Sequence, residues 1–250
     1  MEFEFALNTD IGLRRKQNQD SVGAHPELGL FVVADGMGGH RGGETASALA
    51  VEHIYLHVKK HKKKRGENPK ELISDAVRAA NRAIFDASLK NPALQGMGTT
   101  TTAMLFVDNL LVVGHVGDSR CYYIRPQCLW QVTRDHSLVQ EKLRAGLITR
   151  EQLKTDVMKN VITRSVGFES DVNVEVYEMP IQPGDAFLIC SDGLSGMIED
   201  AKILEILQKD LFTEDELSRA VENLIHAAND HGGEDNITGL VVQVMESARK

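Results

Sequence analysis

Residues 30–44 read LFVVADGMGGHRGGE, an apolar run that meets an acid and then a glycine-rich turn. The run from Leu30 to Ala34 has the length of a buried strand, and it ends abruptly at the carboxylate of Asp35. The glycines that follow allow the backbone to turn tightly before a helical pattern begins at Glu44. Although an Asp-Gly pair is also common in ordinary turns, the arrangement predicts an acid held accurately at the mouth of a rigid strand.

The same pattern recurs farther along the chain. Apolar runs end at Asp118 and Asp192, and Asp235 stands immediately before the last apolar run. If these strand ends share one edge of the fold, several like charges converge, and their repulsion is costly unless a cation neutralises it. The candidate ligands are hard oxygen atoms, which favour Mg²⁺ or Mn²⁺ over zinc. A pair of such ions can generate a hydroxide nucleophile at neutral pH, so the pattern predicts hydrolysis of a phosphoester.

Composition and charge exclude several classes of protein. The 250 residues carry a formal net charge of -8, whereas a general nucleic-acid binder normally has a basic excess. Cys121, Cys128 and Cys190 form no Cys-x-x-Cys pair, so neither a disulfide framework nor a zinc site is indicated. The N-terminus does not resemble a signal peptide, and no apolar run approaches the roughly 18 residues of a membrane span. We therefore expect a single cytoplasmic domain without a membrane span.

Hydrophobic periodicity predicts alternating groups of strands and helices. The predicted strands cover residues 3–7, 28–34, 99–107, 110–116, 120–124, 129–132, 172–177, 186–190 and 237–244. The predicted helices cover residues 44–60, 68–90, 136–145, 201–209 and 214–229. The strands between residues 99 and 132 follow one another without crossover helices, which favours antiparallel pairing. The pattern is typical of an α+β fold whose helices cover the outer faces of packed sheets.

Three other features have ordinary structural interpretations. The basic run KKHKKKR at residues 59–65 could attract an anionic partner, but it is more typical of a solvated helix end, where cations complement the helix dipole. His53, His57 and His61 share one helix face, as a metal site would require, yet no acid is interleaved, which favours a polar surface stripe. Cys190 lies in a predicted buried strand and is expected to be a core residue.

Several motifs, taken together and in this order, resemble those of the protein phosphatase 2C family in its bacterial form. They are DGMGGH at residues 35–40, GDSR at 117–120, SDGL at 191–194 and DN at 235–236, supported by RKQNQD at 15–20, GTT at 98–100 and TRDHS at 133–137. The resemblance extends from about residue 8 to residue 244. It implies a metal-dependent protein serine/threonine phosphatase, a phosphoric monoester hydrolase that acts in bacterial signalling.

The resemblance also implies the architecture. Two antiparallel β-sheets would pack as a sandwich flanked by helix pairs, in four layers ordered α-β-β-α. Residues 1–250 would form one phosphatase catalytic domain, with a flap-like excursion at about residues 136–168 beside the substrate cleft. Many bacterial relatives have His-Pro where this chain has Asp156 and Val157, so the resemblance does not assign the flap contacts or the substrate preference of this chain.

By position, the resemblance implies a centre that holds two or three ions of Mn²⁺ or Mg²⁺. The implied residues are Asp35 as the ligand bridging two ions, Gly36 through its carbonyl at one of them, Asp192 and Asp235 at the other, Asp118 at a third site, Asp20 through metal-bound water, and Arg15 as the clamp on the substrate phosphate. A guanidinium fork suits two phosphate oxygens, which Lys16 would not replace. Arg14 is the weaker candidate because the family register selects the arginine five residues before Asp20.

The implied reaction is in-line attack of a bridging hydroxide on phosphorus, without a phosphoenzyme. The serine alkoxide that leaves then needs a proton. Eukaryotic relatives carry a histidine after the Asp-Gly pair, whereas this chain has Met37, which has no proton to donate. His40 and a metal-bound water are therefore the alternatives for the general acid.

The implied partners are phosphorylated proteins and an opposing serine/threonine kinase, and we expect a monomer. Two rival functions remain open from the residues. A phosphoprotein-binding module could use the glycine-rich loop and helix start as an anion cradle, although it would not need the full set of acids. A metal-dependent phosphodiesterase or nucleotide hydrolase could use the same ions, and comparison of phosphopeptide with nucleotide hydrolysis would separate these activities.

Overall fold

Antiparallel strands form the two sheets of the protein. The computed structural model describes residues 2–38, 42–212 and 216–245, without the side chains of Lys154 and Phe212. Across these residues the first sheet contains, in spatial order, β1 (Glu2–Asp10), β11 (Ile237–Met245), β10 (Ala186–Cys190), β7 (Arg120–Arg125) and β8 (Cys128–Gln131). The second sheet contains β2 (Asp20–His25), β3 (Leu30–Met37), β5 (Thr101–Val107), β6 (Leu110–Val116) and β9 (Glu175–Pro180), and β4 (Gly98–Thr99) pairs with the end of β3.

An apolar layer between the sheets explains the unbroken apolar run of β3. Phe31 points into this layer and packs with Phe106 and Phe187 from the two sheets. Leu30 and Val32 point the opposite way, into a second cluster under the helices, because successive side chains of a strand alternate between its faces. Both faces of β3 are therefore buried, and each large apolar side chain removed from water stabilises the fold by about 1.5–3 kcal/mol.

Two helix pairs cover the outer faces of the sandwich. The pair over the second sheet is α1 (Gly42–Lys60) and α3 (Pro69–Lys90), and the pair over the first sheet is α7 (Asp200–Phe212) and α8 (Leu217–Asp230). Ile54 and Ile73 are fully buried under the first pair, and Leu224 is fully buried under the second. The layers run α-β-β-α, which confirms the predicted fold class. The shorter helices are α2 (Lys64–Glu67), α4 (Leu138–Arg144), α5 (Arg150–Thr155) and α6 (Asp192–Ser195).

β2 is absent from the predicted strands. Its sequence, DSVGAH, lacks a clear apolar alternation. The strand is extended by its pairing with β3, where Val22 lies opposite Val33. α1 also packs closely on it, since a Cβ at Gly23 would come within 2.6 Å of Val51 Cγ1. Both supports come from distant parts of the chain, so local sequence does not reveal them.

Other boundaries also differ from the predictions. The strand predicted at residues 172–177 is observed at β9, where it pairs with β6. The strand predicted over residues 99–107 is divided at Thr100. α5 was missed, although Thr149 and Gln152 form a reciprocal capping box at its start. No helix in the described ranges combines the length and the apolar character needed to cross a bilayer.

Candidate active site

Acidic side chains meet at one end of the sandwich. They are Asp20, Asp35, Asp118, Asp192 and Asp235. Asp20 at the start of β2 lies directly opposite Asp35 near the end of β3. Asp118 follows β6, Asp192 opens α6 after β10, and Asp235 precedes β11. The second sheet and the first sheet both contribute carboxyl groups, so the site exists only when the two sheets are packed together.

The carboxyl groups perturb one another because they are buried close together. Burial, and then the charges of Asp20, Asp192 and Asp118, raise the pKa of Asp35 well above its usual range. Burial and the neighbouring Asp192 and Asp135 raise the pKa of Asp118 to about 8. Burial also raises the pKa of Asp192, although a hydrogen bond with Asp35 acts in the opposite sense. Acids that share a site in this way favour a bound cation.

Asp20 is held at the junction of the two sheets. Its Oδ2 accepts hydrogen bonds from Ser191 Oγ at 2.8 Å and Thr238 Oγ1 at 2.6 Å. These bonds do not outweigh burial, which raises the pKa of Asp20 to about 7. Sequence reasoning gave no role to either hydroxyl. Ser191 stands beside Asp192 in a motif and could have been noticed, whereas Thr238 reaches Asp20 only through sheet packing.

Asn236 ties the segment between β1 and β2 to the last strand. Its side chain makes hydrogen bonds of 2.8 to 3.0 Å with backbone groups of residues 11, 17 and 19. This anchored segment presents Arg15, whose Nη2 lies 2.6 Å from Oδ2 of Asp235. The hydrogen bond to Asp235 is the main cause that raises the pKa of Arg15. Asn236 belongs to the DN motif at residues 235–236, but nothing local in the sequence indicates these distant partners.

Thr99 and Thr100 hold the backbone of Asp35. The N–H of Asp35 donates to Thr100 Oγ1 at 3.0 Å. The carbonyl of Asp35 accepts from the Thr100 N–H and from Thr99 Oγ1, both at 2.8 Å. Ser119 Oγ lies 2.7 Å from Thr100 Oγ1 and links this group to the neighbour of Asp118. The motif at residues 98–100 therefore positions Asp35.

Two glycines permit close backbone approaches behind the acids. A Cβ at Gly36 would lie 2.1 Å from the carbonyl oxygen of Gly43 at the start of α1. A Cβ at Gly193 would lie 2.0 Å from the carbonyl oxygen of Asn236. Both distances are far below a van der Waals contact, so any side chain at either position would push apart the segments that carry the acids.

A cleft of about 630 Å³ opens beside the acids. Its lining includes Asp118, Asp192 and Asp235 together with Lys159 and Asn160. The last two residues belong to the predicted flap, which contains α4 and α5. The cleft therefore gives a bound substrate access to the acids and to the flap at the same time.

Asp156, where the chain departs from many relatives, has a local role in the flap. Its Oδ2 accepts a hydrogen bond from Lys142 Nζ at 2.9 Å, and its Oδ1 accepts from the Met158 N–H at 2.8 Å. The adjacent Val157 is 94% exposed. Asp156 thus stabilises the flap internally, while Val157 is presented to solvent.

His40, the predicted proton donor, lies outside the described residues. A different histidine lies near the acids, since His136 Nδ1 accepts the N–H of Gly117 at 3.1 Å. Its Nε2 lies 3.2 Å from Glu175, and burial lowers the pKa of His136. Both ring nitrogens therefore have partners within the protein, and the bond to Gly117 positions the turn before Asp118.

The residues present fit divalent cations. Their donors are oxygen atoms, and among the described residues Asp20 Oδ1 and Asp192 Oδ1 are buried without a hydrogen-bond partner. No group of three His, Cys, Asp or Glu side chains in the described ranges forms a ready-made metal cage. Asp235 instead pairs with Arg15.

Comparison with known proteins identifies the family. The model of the family described as Protein phosphatase 2C matches residues 14–241. The chain belongs to the protein phosphatase 2C family. The predicted resemblance is confirmed, and it covers the segments that carry Arg15 and all the acids described above.

Similar proteins support the assignment of this phosphatase. It is 37% identical to the serine/threonine phosphatase stp of Listeria monocytogenes serotype 4b, over 97% of this chain and 96% of that protein. The crystal structure of the phosphatase PstP/Ppp of Mycobacterium tuberculosis is similar with a TM-score of 0.90 and 36% identity, covering 98% of this chain and 100% of that one. The crystal structure of a PstP catalytic domain in complex with 2 manganese ions is similar with a TM-score of 0.87 and 37% identity. The match covers 98% of this chain and 99% of that one. The predicted fold and enzyme class, a metal-dependent protein serine/threonine phosphatase, are confirmed.

Proposed function

We propose that this phosphatase hydrolyses phosphoserine and phosphothreonine in proteins, at a centre of two or three Mn²⁺ or Mg²⁺ ions, and opposes a serine/threonine kinase in the cytoplasm. The observation that carries the proposal is the buried group of Asp20, Asp35, Asp118 and Asp192 with raised pKa values beside an open cleft. Ionisation of several buried carboxyl groups so close together is unfavourable unless a cation is bound among them. Manganese in the similar PstP structure supports the class of metal.

The proposed ligands follow from the position of each oxygen. Asp35 lies among several other carboxyl groups, which suits a carboxylate shared by two ions. Asp192 and Asp235 are proposed at one ion, the Gly36 carbonyl at the other and Asp118 at a third. Bound divalent ions would supply Lewis acidity and a hydroxide nucleophile near neutral pH.

Asp20 is proposed to orient water at this centre. Its Oδ2 is already fixed by Ser191 and Thr238, so the buried Oδ1 is held in one direction and is available to accept a hydrogen bond. His40 and a metal-bound water remain the alternative proton donors to the leaving serine oxygen.

Arg15 is proposed to bind the substrate phosphate. Its side chain is 51% exposed and is held near the acids by the ion pair with Asp235. If Asp235 binds a cation in place of Arg15, the guanidinium would be free to face the cleft. Its planar fork suits two phosphate oxygens and would stabilise charge that develops on them.

Arg15→Lys is expected to raise KM for a phosphopeptide by about tenfold, with a smaller loss in kcat, because lysine keeps the charge but loses the bidentate geometry. Steady-state kinetics in saturating Mn²⁺ would measure the effect. Arg14→Lys is the matched control, since Arg14 is the exposed neighbour with the same side chain. Equal effects of the two substitutions would contradict the assignment of Arg15.

Metal removal tests the proposed function directly. With EDTA, hydrolysis of a phosphoserine peptide is expected to fall to background and to return when Mn²⁺ or Mg²⁺ is added in excess. Calorimetric titration of Mn²⁺ into the metal-free protein should show binding that Asp192→Asn weakens. A nucleotide or phosphodiester assayed in parallel should be a poorer substrate. Turnover that persists without divalent ions, or a preference for the nucleotide, would overturn the proposal.

A further inference from the structure

A second concave surface lies away from the acids, and we call it the basic groove. It is a cleft of about 770 Å³ whose lining includes Tyr55, Lys59, Lys62, Lys63 and Arg65. Six of the 28 Lys and Arg residues of the chain fall within residues 59–65, although the net charge of the chain is -8. The sequence favoured a solvated helix end for this run, whereas the structure folds it around a depression between the end of α1 and the turn before β3.

Two of the four cations of the basic groove, Lys59 and Arg65, are held in place. Arg65 Nη2 donates a hydrogen bond of 2.6 Å to the carbonyl oxygen of Phe106. Burial lowers the pKa of Arg65, with the charge of Asp108 acting in the opposite sense. Lys59 Nζ donates to the Tyr55 hydroxyl at 2.8 Å. Side chains that are already ordered lose less conformational entropy when they bind a ligand.

The positive charge of the basic groove is largely uncompensated. Among the described residues that line it, Glu27 is the acid, against four Lys and Arg side chains. Lys62 and Lys63 form no ion pair within the part of the chain that the structure describes. The neighbouring Lys64, by contrast, lies 3.9 Å from carboxylate oxygens on α3. The groove therefore attracts an anion.

The basic groove is remote from the acids. It adjoins Leu28, just before β3, whereas Asp35 lies near the other end of that strand. The path along β3 from Leu30 to Asp35 alone is about 17 Å. An anion in the groove therefore cannot be the phosphate that is hydrolysed.

We propose that the basic groove binds an anionic segment of a protein substrate, rich in carboxylates or additional phosphates, while a separate phosphoserine of that substrate lies at the acids. The inference rests on the proposed function for the identity of the partner. An extended peptide needs at least about six residues to connect two such points, at about 3.3 Å per residue. The groove would thus select substrates by a charged segment outside the reacting residue and lower their KM.

Chemistry favours a peptide over other polyanions. The Tyr55 ring stacks on the His25 ring, with 4.1 Å between the ring centroids, and Lys59 Nζ lies over the Tyr55 ring. The Tyr55 ring is therefore not available to stack on a nucleic-acid base. Leu28 is only 8% exposed, and no described residue of the lining is a large exposed apolar side chain of the kind that inserts into a lipid surface.

Binding can be tested without catalysis. A fluorescent peptide with about eight consecutive acidic residues is expected to bind the wild type, and its anisotropy titration should weaken by at least about tenfold in the double variant Lys62→Glu with Lys63→Glu. The matched control is Lys90→Glu with Lys209→Glu, which makes the same change of charge at exposed positions on other helices. An equal loss in both double variants would overturn the assignment, as would tighter binding of an oligonucleotide or of anionic vesicles.

Steady-state kinetics would test whether binding at the basic groove selects protein substrates. A phosphopeptide that carries an acidic tail on a flexible linker is expected to have a lower KM than the same phosphopeptide without the tail, with kcat unchanged. The groove variant should lose this difference but retain wild-type turnover of p-nitrophenyl phosphate. If the untailed peptide is hydrolysed but the tail leaves KM unchanged, the proposed role of the groove is refuted and the proposed function stands. Absence of hydrolysis of any phosphopeptide would instead refute the proposed function.

Discussion

Asp35→Asn is expected to reduce phosphopeptide hydrolysis by on the order of 10³-fold or more, while the metal-free protein becomes at least as stable as the wild type. The loss is expected because asparagine keeps the shape of Asp35 but removes the charge proposed to bridge two cations. The gain arises because Asp35 is buried among Asp20, Asp192 and Asp118, which raise its pKa. Removal of that carboxyl group relieves repulsion when no cation is present.

Three measurements on the same samples would establish the result. These are turnover in saturating Mn²⁺, calorimetric Mn²⁺ affinity, and urea unfolding in EDTA. Asp86→Asn is the matched control because Asp86 is an exposed aspartate on α3. Near wild-type turnover of Asp35→Asn would rule out a metal-bridging role for Asp35. A large loss of stability in EDTA would show that the carboxyl group is structural.

In EDTA, the free energy of unfolding is expected to rise by on the order of 2 kcal/mol as the pH is lowered from about 8.5 to about 7. Asp118 has a pKa raised to about 8, from an ordinary value of 3.8, and the pKa of Asp35 is raised well above its usual range. Over this interval the folded protein therefore binds protons that the unfolded chain does not. Stability falls as the pH rises, because the carboxylates must ionise within the fold.

Histidines limit this gain at lower pH. Burial lowers the pKa of His115 to about 4, and it also lowers the pKa of His136. Below about pH 6.5 the unfolded chain takes up protons at these residues while the folded protein does not, which opposes further stabilisation. The carboxyl groups of Asp20, Asp35 and Asp118 stay protonated in the fold and ionised in the unfolded chain down to about pH 4, so the histidines offset only part of the gain. We therefore expect the stability of the metal-free protein to rise less steeply below about pH 6.5 than above it.

Urea titrations in EDTA at closely spaced pH values would measure the curve of unfolding free energy against pH. Asp118→Asn should flatten it between about pH 7 and about pH 8.5, whereas Asp86→Asn should leave its slope unchanged. Mn²⁺ at about 100 times its dissociation constant should add about 2.7 kcal/mol at the alkaline end, since it binds the folded state. A metal-free protein whose stability increases with pH in this range would contradict the raised pKa values.

The layered fold was predictable because the strands of its core carry strong local signals. Residues 110–116 and 186–190 form β6 and β10 as predicted, since each is an apolar run bounded by turn residues. β2 was missed because its extended form depends on pairing with β3 and contact with α1. Local sequence does not encode support of that kind.

The acids were also predictable, whereas the residues that hold them were not. Asp35, Asp118, Asp192 and Asp235 each end or precede an apolar run, so the sequence indicates where these carboxyl groups lie along the chain, whereas Asp20 was implied only by the family resemblance. The hydrogen bond from Thr238 to Asp20 joins residues separated by 218 positions. Asn236 likewise holds a segment about as far away. Such contacts depend on how the two sheets pack, which no local pattern reveals.

The position of β11 has a consequence for synthesis of the protein. Within the described strands, β1 lies at the edge of the first sheet and has β11 as its one neighbour, with Glu2 opposite Met245. A ribosome that has released residues 1–230 has therefore produced a β1 that lacks its pairing strand. Asp235 emerges with the same late segment. Because Asp235 is a proposed metal ligand, we expect a nascent chain to lack phosphatase activity until nearly all of this sequence has been translated.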